Sequence, residues 1–299
     1  RLLALALAGG QDLGAAERSI ELSSDATPLV ESLIENRLAH GDYRAIVPWL
    51  HYLIEHCEDD ERPTYVARLF ELGLGFLEDG RVAEEALGFL ETPGELVNEL
   101  IAWFEEHERY ADCFRWLMYL AERSEDDDER QGLAERIHGL ALGPARDLDT
   151  VERALALAVD RRPLIEKLVE NLLARGEAQD ALAWQLTLGR EAAGPERRAA
   201  DLRKALDIAL YTLGDVARAE VVIEASDEPF PLMEALVSYH RDRGDFAGAI
   251  QWLWALVKRS KEDVAASLYR HRLVDLALSE GKSVGEAERA VLDAKLEPG

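Results

Sequence analysis

The chain has 299 residues, of which 48% are hydrophobic, and a formal net charge of −25 at pH 7. This composition is typical of a folded protein, and the acidity disfavours nucleic acid as a partner because phosphates carry the same sign of charge. No apolar run reaches the ~18 residues of a membrane span, so direct membrane insertion is not expected. The two cysteines, Cys57 and Cys113, lack metal-ligand spacing, which predicts buried small side chains rather than a disulfide or a zinc site.

Four tryptophans mark an internal repeat. They stand 67, 68 and 68 residues apart, and each closes a similar local sequence. A fixed period of this kind indicates a stacked array of repeats rather than a closed globule. The four tryptophans are Trp49, Trp116, Trp184 and Trp252, and the copies occupy residues 28–49, 95–116, 163–184 and 231–252.

Each copy predicts a tight helical hairpin. Apolar residues recur at three- and four-residue spacing, as an amphipathic helix requires. Three copies begin with a proline, which suits a helix start, and three contain a glycine that ends the helix ahead of a second, tryptophan-bearing helix. The prolines are Pro28, Pro163 and Pro231, and the glycines are Gly41, Gly176 and Gly244.

The residues between the copies predict a second hairpin, so that the full unit holds four helices in about 68 residues. Its turn is expected at Gly80, Gly214 and Gly281, with an irregular stretch over 143–150. Residues 1–20 align with 272–291, which predicts that the chain is a segment of a longer array. The expected divisions are 1–27 (the end of a preceding unit), 28–94, 95–162, 163–230 and 231–299.

A hairpin of about 34 residues with Gly-Asp-aromatic at its turn resembles the tetratricopeptide repeat family. The best match is RGDFAGAI at 243–250, followed by HGDYRAIV at 40–47 and RGEAQDAL at 175–182. The family's small residue after the turn is matched by Ala181, Ala249 and Cys113 but not by Ile46. Ile34, Val169 and Val237 replace the small residue of the first helix, which leaves related solenoids of stacked hairpins open.

The resemblance implies an all-α fold, an α-solenoid wound as a right-handed superhelix of about eight hairpins. It also implies that the first helices line a concave groove, which holds a peptide or another protein's helix. It implies no catalysis. An excess of arginine over lysine, with abundant alanine, leucine and glycine, is typical of a GC-rich bacterium, and a halophilic host would also explain the acidity.

Two sets of repeat-equivalent positions are candidates for the groove. Asparagine can bond an extended backbone, tryptophan and tyrosine offer flat anchors, and an excess of glutamate favours a basic ligand. The alternative is that these are solvated helix faces, with Trp103 packed between hairpins. The first set is Asn36, Trp103, Asn171 and Tyr239, and the second is Glu31, Glu35, Glu166, Glu170 and Glu234.

The four periodic tryptophans are instead expected in the inter-helix core, because a large residue at a fixed position suits a stacking interface. The acidic runs at 58–61 and 125–129 precede predicted helices, where negative charge offsets the helix dipole. They lack the spaced ligands of a calcium loop.

No catalytic constellation is found in the sequence. His51 and His56 are five residues apart and point in different directions on a helix, and no phosphate-cradling glycine loop is present. The sequence therefore predicts a protein that is not an enzyme and that needs no cofactor or metal.

Three functions stay open. They are a scaffold that binds a protein or peptide within a longer chain, a regulatory arm of a signalling or transcription-regulating protein, and a spacer or self-assembling rod. The cytoplasm is the default compartment, since no signal peptide is visible.

Overall fold

The computed structural model describes residue 20 and residues 26–91, 94–260, 262–280 and 283–296. The chain divides into two compact units, Arg1–Leu157 and Ala158–Gly299. Within the described residues of each unit all regular structure is helical, and helices that follow one another in sequence pack together. Each unit is therefore an all-α solenoid of stacked hairpins, as the repeat pattern predicts.

The first unit contains eight helices with described bounds, which form four hairpins. They are α1 (Thr27–Ala39), α2 (Val47–His56, after a 3₁₀ turn at Tyr43–Ile46), α3 (Arg62–Glu71), α4 (Gly80–Leu87), α5 (Leu96–Glu106), α6 (Tyr110–Arg123), α7 (Asp127–Leu140) and α8 (Leu148–Leu157).

The second unit contains eight more. They are α9 (Arg162–Ala174), α10 (Ala178–Glu191), α11 (Pro195–Asp207), α12 (Val216–Glu224), α13 (Phe230–Asp242), α14 (Phe246–Arg259), α15 (Asp263–Ser279) and α16 (Val284–Leu296).

The turn of each tryptophan-bearing hairpin has a left-handed residue where the sequence predicts glycine. Gly41, Gly176 and Gly244 have φ values of 73°, 79° and 73°, and Glu108 takes the same place in the second copy with φ 55°. The next N–H then returns to a carbonyl near the end of the first helix; Asp245, for example, donates to His240 O at 2.9 Å. Gly-Asp turns therefore reflect a backbone geometry that glycine adopts without strain.

The second type of hairpin turns differently from the expectation. Its first helix ends in a π-helical turn at Leu72–Phe76, Ala141–Ala145 and Ile208–Thr212. The N–H groups of four residues spaced by 68 then each bond the carbonyl six positions earlier, at 2.9 Å. These four residues are Asp79, Asp147, Asp215 and Ser283.

Two expectations about this turn are therefore wrong. The left-handed residue of the first copy is Glu78, whereas Gly80 begins α4 and is buried. The stretch 143–150 is not irregular, because Arg146 with φ 53° closes the same turn there. The regularity lies in the aspartates, whose side chains accept backbone N–H bonds at the helix start and need no glycine. Gly281 lies outside the described residues.

The core runs between the helices of each stack. The apolar stripe of α9 is buried along its length, as its spacing predicts. The small residues after the turns, Ala181, Ala249 and Cys113, are each 0% exposed, so they lie where two helices approach closely. Burial, followed by the charge of Glu105, raises the pKa of the Cys113 thiol to about 12, whereas Cys57 is only half-buried.

Candidate partner-binding surfaces

Two of the candidate glutamates are bonded within the chain. Tyr65 on α3 donates its hydroxyl to Glu31 Oε1 at 3.1 Å, and Tyr269 on α15 donates to Glu234 Oε1 at 2.9 Å. An arginine lies beside each pair, with 3.2 Å between Arg272 Nη1 and Glu234 Oε1. These carboxylates link the first helices of successive hairpins, so part of their charge is neutralised inside the array.

The two tyrosines respond electrostatically to this arrangement. Burial first, and then the hydrogen bond to Glu31, raises the pKa of Tyr65 to about 12. Burial and the bond to Glu234 likewise raise the pKa of Tyr269. A tyrosinate would lose hydration and face a carboxylate at both places, so the neutral hydroxyl is favoured.

Glu166 belongs to a different network around a buried aspartate. Arg162 Nε lies 2.9 Å from Glu166 Oε1, while Arg162 Nη2 donates to both Asp201 carboxylate oxygens at 2.9 and 2.8 Å. Asp201 is 2% exposed, and its backbone carbonyl accepts from Gln185 Nε2 at 3.1 Å. The network joins α9, α10 and α11. Of the five candidate glutamates, only Glu35 and Glu170 are classed as exposed.

The aromatic and asparagine positions are less open than expected. Tyr239 is 3% exposed, with its ring 5.5 Å from that of Tyr211 at the end of the α11 π-turn. Its expected role as an open anchor is therefore corrected, because Tyr211 and the Arg243 guanidinium cover the ring. Trp103 is half-buried and stacks on His107 with centroids 3.9 Å apart.

The two asparagines at these positions are half-buried. The Oδ1 atom of Asn171 is buried and has no protein hydrogen-bond partner, so it retains an unused acceptor. That Asn36, Trp103 and Asn171 contact a partner stays a prediction.

The four periodic tryptophans are all half-buried, and none is among the buried core side chains. Trp116 shows how the position is used: its Nε1 donates to Glu84 Oε1 on α4 at 2.9 Å, and its ring meets Tyr119 edge-on. This tryptophan therefore joins successive hairpins through one polar bond. A core role for all four stays a prediction.

The structure reveals a cavity that the sequence reasoning missed. It lies between α14 and α16, has a volume of about 550 Å³, and is lined by Trp254, Lys258, Glu286 and Arg289 among others. Trp254 Nε1 donates to Glu286 Oε2 at 2.8 Å, with the Arg289 guanidinium 5.2 Å from the ring centroid. The available signal was an aromatic residue where the repeat otherwise has Met118 and Leu186.

A second missed feature is an apolar groove of about 440 Å³ on α15 and α16. Four large side chains in it are exposed: Leu278 by 54%, Val284 by 59%, Val291 by 46% and Leu292 by 58%. We call these four residues the terminal apolar face. Helical periodicity alone did not single them out, since equivalent positions throughout the array are also apolar.

Two further searches cover the described part of the chain. There, no group of three or more His, Cys, Asp or Glu residues could hold a metal ion. None of the helices searched combines the length and apolar character needed to cross a bilayer.

The comparisons with known proteins identify no family. No protein-family model matches the chain, and no curated protein matches it. Among solved structures it is similar to a circular tandem repeat protein with novel repeat topology and enhanced subunit contact surfaces, at 16% identity and a TM-score of 0.11. The match covers 98% of this chain and 56% of that one. So low a TM-score carries no argument about function.

Proposed function

We propose that the chain is a non-catalytic scaffold that holds a protein or peptide partner. The terminal apolar face is the observation that supports this proposal. Single exposed leucines are ordinary, but a contiguous apolar patch on adjacent helices is typical of an interaction surface. In a chain of net charge −25, such a patch is also where another molecule meets the least repulsion.

The proposed partner is basic near its contact surface. Glu35 and Glu170 are exposed, and the acidity of the whole chain attracts cations over a Debye length. We therefore expect association to slow as salt rises, while the apolar contact itself changes little.

That the repeats are tetratricopeptide repeats is part of the same proposal. The RGDFAGAI segment supports it, because Gly244 has a left-handed φ of 73° and Asp245 Oδ1 accepts from Gly248 N at 3.0 Å to cap α14. Ala249 then lies fully buried against its neighbours.

Site-specific photo-cross-linking in host cells tests the scaffold role. Leu292→p-benzoylphenylalanine places the cross-linker on the terminal apolar face, and Val221→p-benzoylphenylalanine places it at an exposed apolar position on α12, outside that face. We expect proteins captured at position 292 and not at 221, identified by mass spectrometry. Identical sets from both positions, or none, would contradict the proposal; adducts of the chain with itself alone would indicate a self-assembling rod.

A further inference from the structure

The terminal apolar face is made of positions that the repeat buries elsewhere. Val291 is 46% exposed, but its equivalents Ile223 and Leu87 are each 2% exposed. Leu278 is 54% exposed, whereas Leu210, 68 residues earlier, is 1% exposed. The exposure of α15 and α16 thus comes from a missing neighbour, since the residue types are the same.

The neighbour that covers these positions inside the array is the first helix of the next hairpin. In the second unit, α12 packs on α13, and Tyr211 meets Tyr239 on α13. In the first unit, Gly80, the equivalent of Val284, lies against α5 so closely that an added Cβ would be 2.6 Å from Phe104 Cε1. The occupant of this face is therefore known by its chemistry: an amphipathic helix leading a helical hairpin.

We infer that the terminal apolar face binds a helical hairpin of this first type, presented by a partner protein. This inference rests on the proposed scaffold function and names the partner's structure. The binding helix carries apolar residues at positions i, i+1, i+4, i+5 and i+8, the spacing of the buried stripe of α9. That stripe consists of Leu164, Ile165, Leu168, Val169 and Leu172.

A second copy of the chain fits this face less well. The position equivalent to Val291 near the start of the chain is Ile20, which is 5% exposed. The counterpart position there is already covered, so head-to-tail addition of a copy would have to displace existing contacts. A separate hairpin displaces nothing, and basic flanking residues on it would also complement the acidity of the chain.

A hairpin taken from the array itself is the probe. A fluorescein-labelled peptide of residues 158–192, which contains α9 and α10, is titrated with the full chain and followed by fluorescence anisotropy. We expect saturable one-to-one binding that weakens about tenfold or more in the Leu278→Glu, Val291→Glu double variant, a loss equal to about 1.4 kcal/mol. Val221→Glu is the matched control, because Val221 is 49% exposed on α12 and should leave binding unchanged.

Joining the same segment after Gly299 through a flexible Gly-Ser linker controls for a free peptide that fails to fold, since its effective concentration is then about millimolar. Hydrogen exchange of α16 amides should slow in the joined protein, and this slowing should disappear in the double variant. No protection, or protection that survives the double variant, would overturn the inference.

Sedimentation of the unmodified chain supplies the remaining outcome. Self-association that the double variant abolishes, without binding of the probe, assigns the face to a second copy and overturns the inference. If the probe fails while cross-links from position 292 to other proteins persist, the scaffold proposal stands and only the hairpin partner is lost. If both fail, both proposals fall.

Discussion

Hairpins α11–α12 and α15–α16 occupy equivalent places in successive repeats of the second unit, yet their surfaces differ. Ile223 and Leu210 in the earlier hairpin are buried, while Val291 and Leu278 in the later one are about half exposed. Both hairpins use the same turn, closed by Asp215 and by Ser283. The difference teaches that the exposure of a residue in an array depends on which helices follow it, as well as on its own hydrophobicity.

The largest expected effect separates these two hairpins directly. Ile223→Glu should lower the free energy of unfolding by about 4 kcal/mol, because it places a charge in a closed interface. Val291→Glu, at the equivalent position, should change it by at most about 0.5 kcal/mol, as exposed sites do. Urea unfolding followed by circular dichroism measures both. Equal losses would show that the α16 face is covered in the isolated chain.

The second prediction compares position 201 on α11 with its equivalent 269 on α15. Asp201→Ala should cost about 3 kcal/mol, because it removes the buried acceptor of Arg162 and leaves that guanidinium without its main partner. Tyr269→Phe should cost about 1 kcal/mol, since it removes a single hydrogen bond to Glu234. The same unfolding measurement applies. A cost for Tyr269→Phe that equals the cost for Asp201→Ala would contradict the view that only α11 holds a buried ionic network.

The third prediction concerns the cap of α12. Asp215 accepts from Arg218 N at 3.1 Å, so Asp215→Ala should destabilise the chain by about 1 kcal/mol. Asp215→Asn keeps an acceptor and should recover most of that loss. If the asparagine variant were as unstable as the alanine variant, the charge of Asp215 and not its hydrogen bond would be responsible.

The smallest expected effect is a pH dependence at α15. The pKa of Tyr269 is raised in the folded state, so its contribution to stability is complete below the ordinary tyrosine pKa of about 10. That contribution is lost as pH rises from there through the raised pKa, because the unfolded chain releases the proton first. Stability of the native chain should therefore fall more steeply above pH ~10 than that of Tyr269→Phe. Parallel curves would show that the hydroxyl has no preferential interaction in the fold.

The sequence was sufficient for the hairpins and for the first type of turn. Amphipathic spacing in α9 and glycines such as Gly176 reflect local requirements, namely one apolar stripe and one left-handed backbone residue. The second type of turn was misplaced because glycine was taken as its marker. The aspartates at 79, 147 and 215 recur at intervals of 68 and would have located it.

The candidate binding residues were harder to predict. Repeat alignment identifies equivalent positions, but it does not show that Tyr65 and Tyr269 bond to the glutamates of the preceding hairpin. Nor does it show that Tyr211 covers Tyr239. These contacts join residues 28 to 35 positions apart in sequence, and they depend on how one helix lies against the next.

The sequence by itself determined the all-helical repeat, its period and the apolar stripe of each first helix, because these follow from local backbone preferences and from spacing along a single helix. Only the tertiary structure decided which equivalent residues are buried, which carboxylates are neutralised and where an apolar surface stays open. Burial and ion pairing depend on neighbours supplied by other hairpins, so equivalent positions such as Ile223 and Val291 can differ completely in exposure.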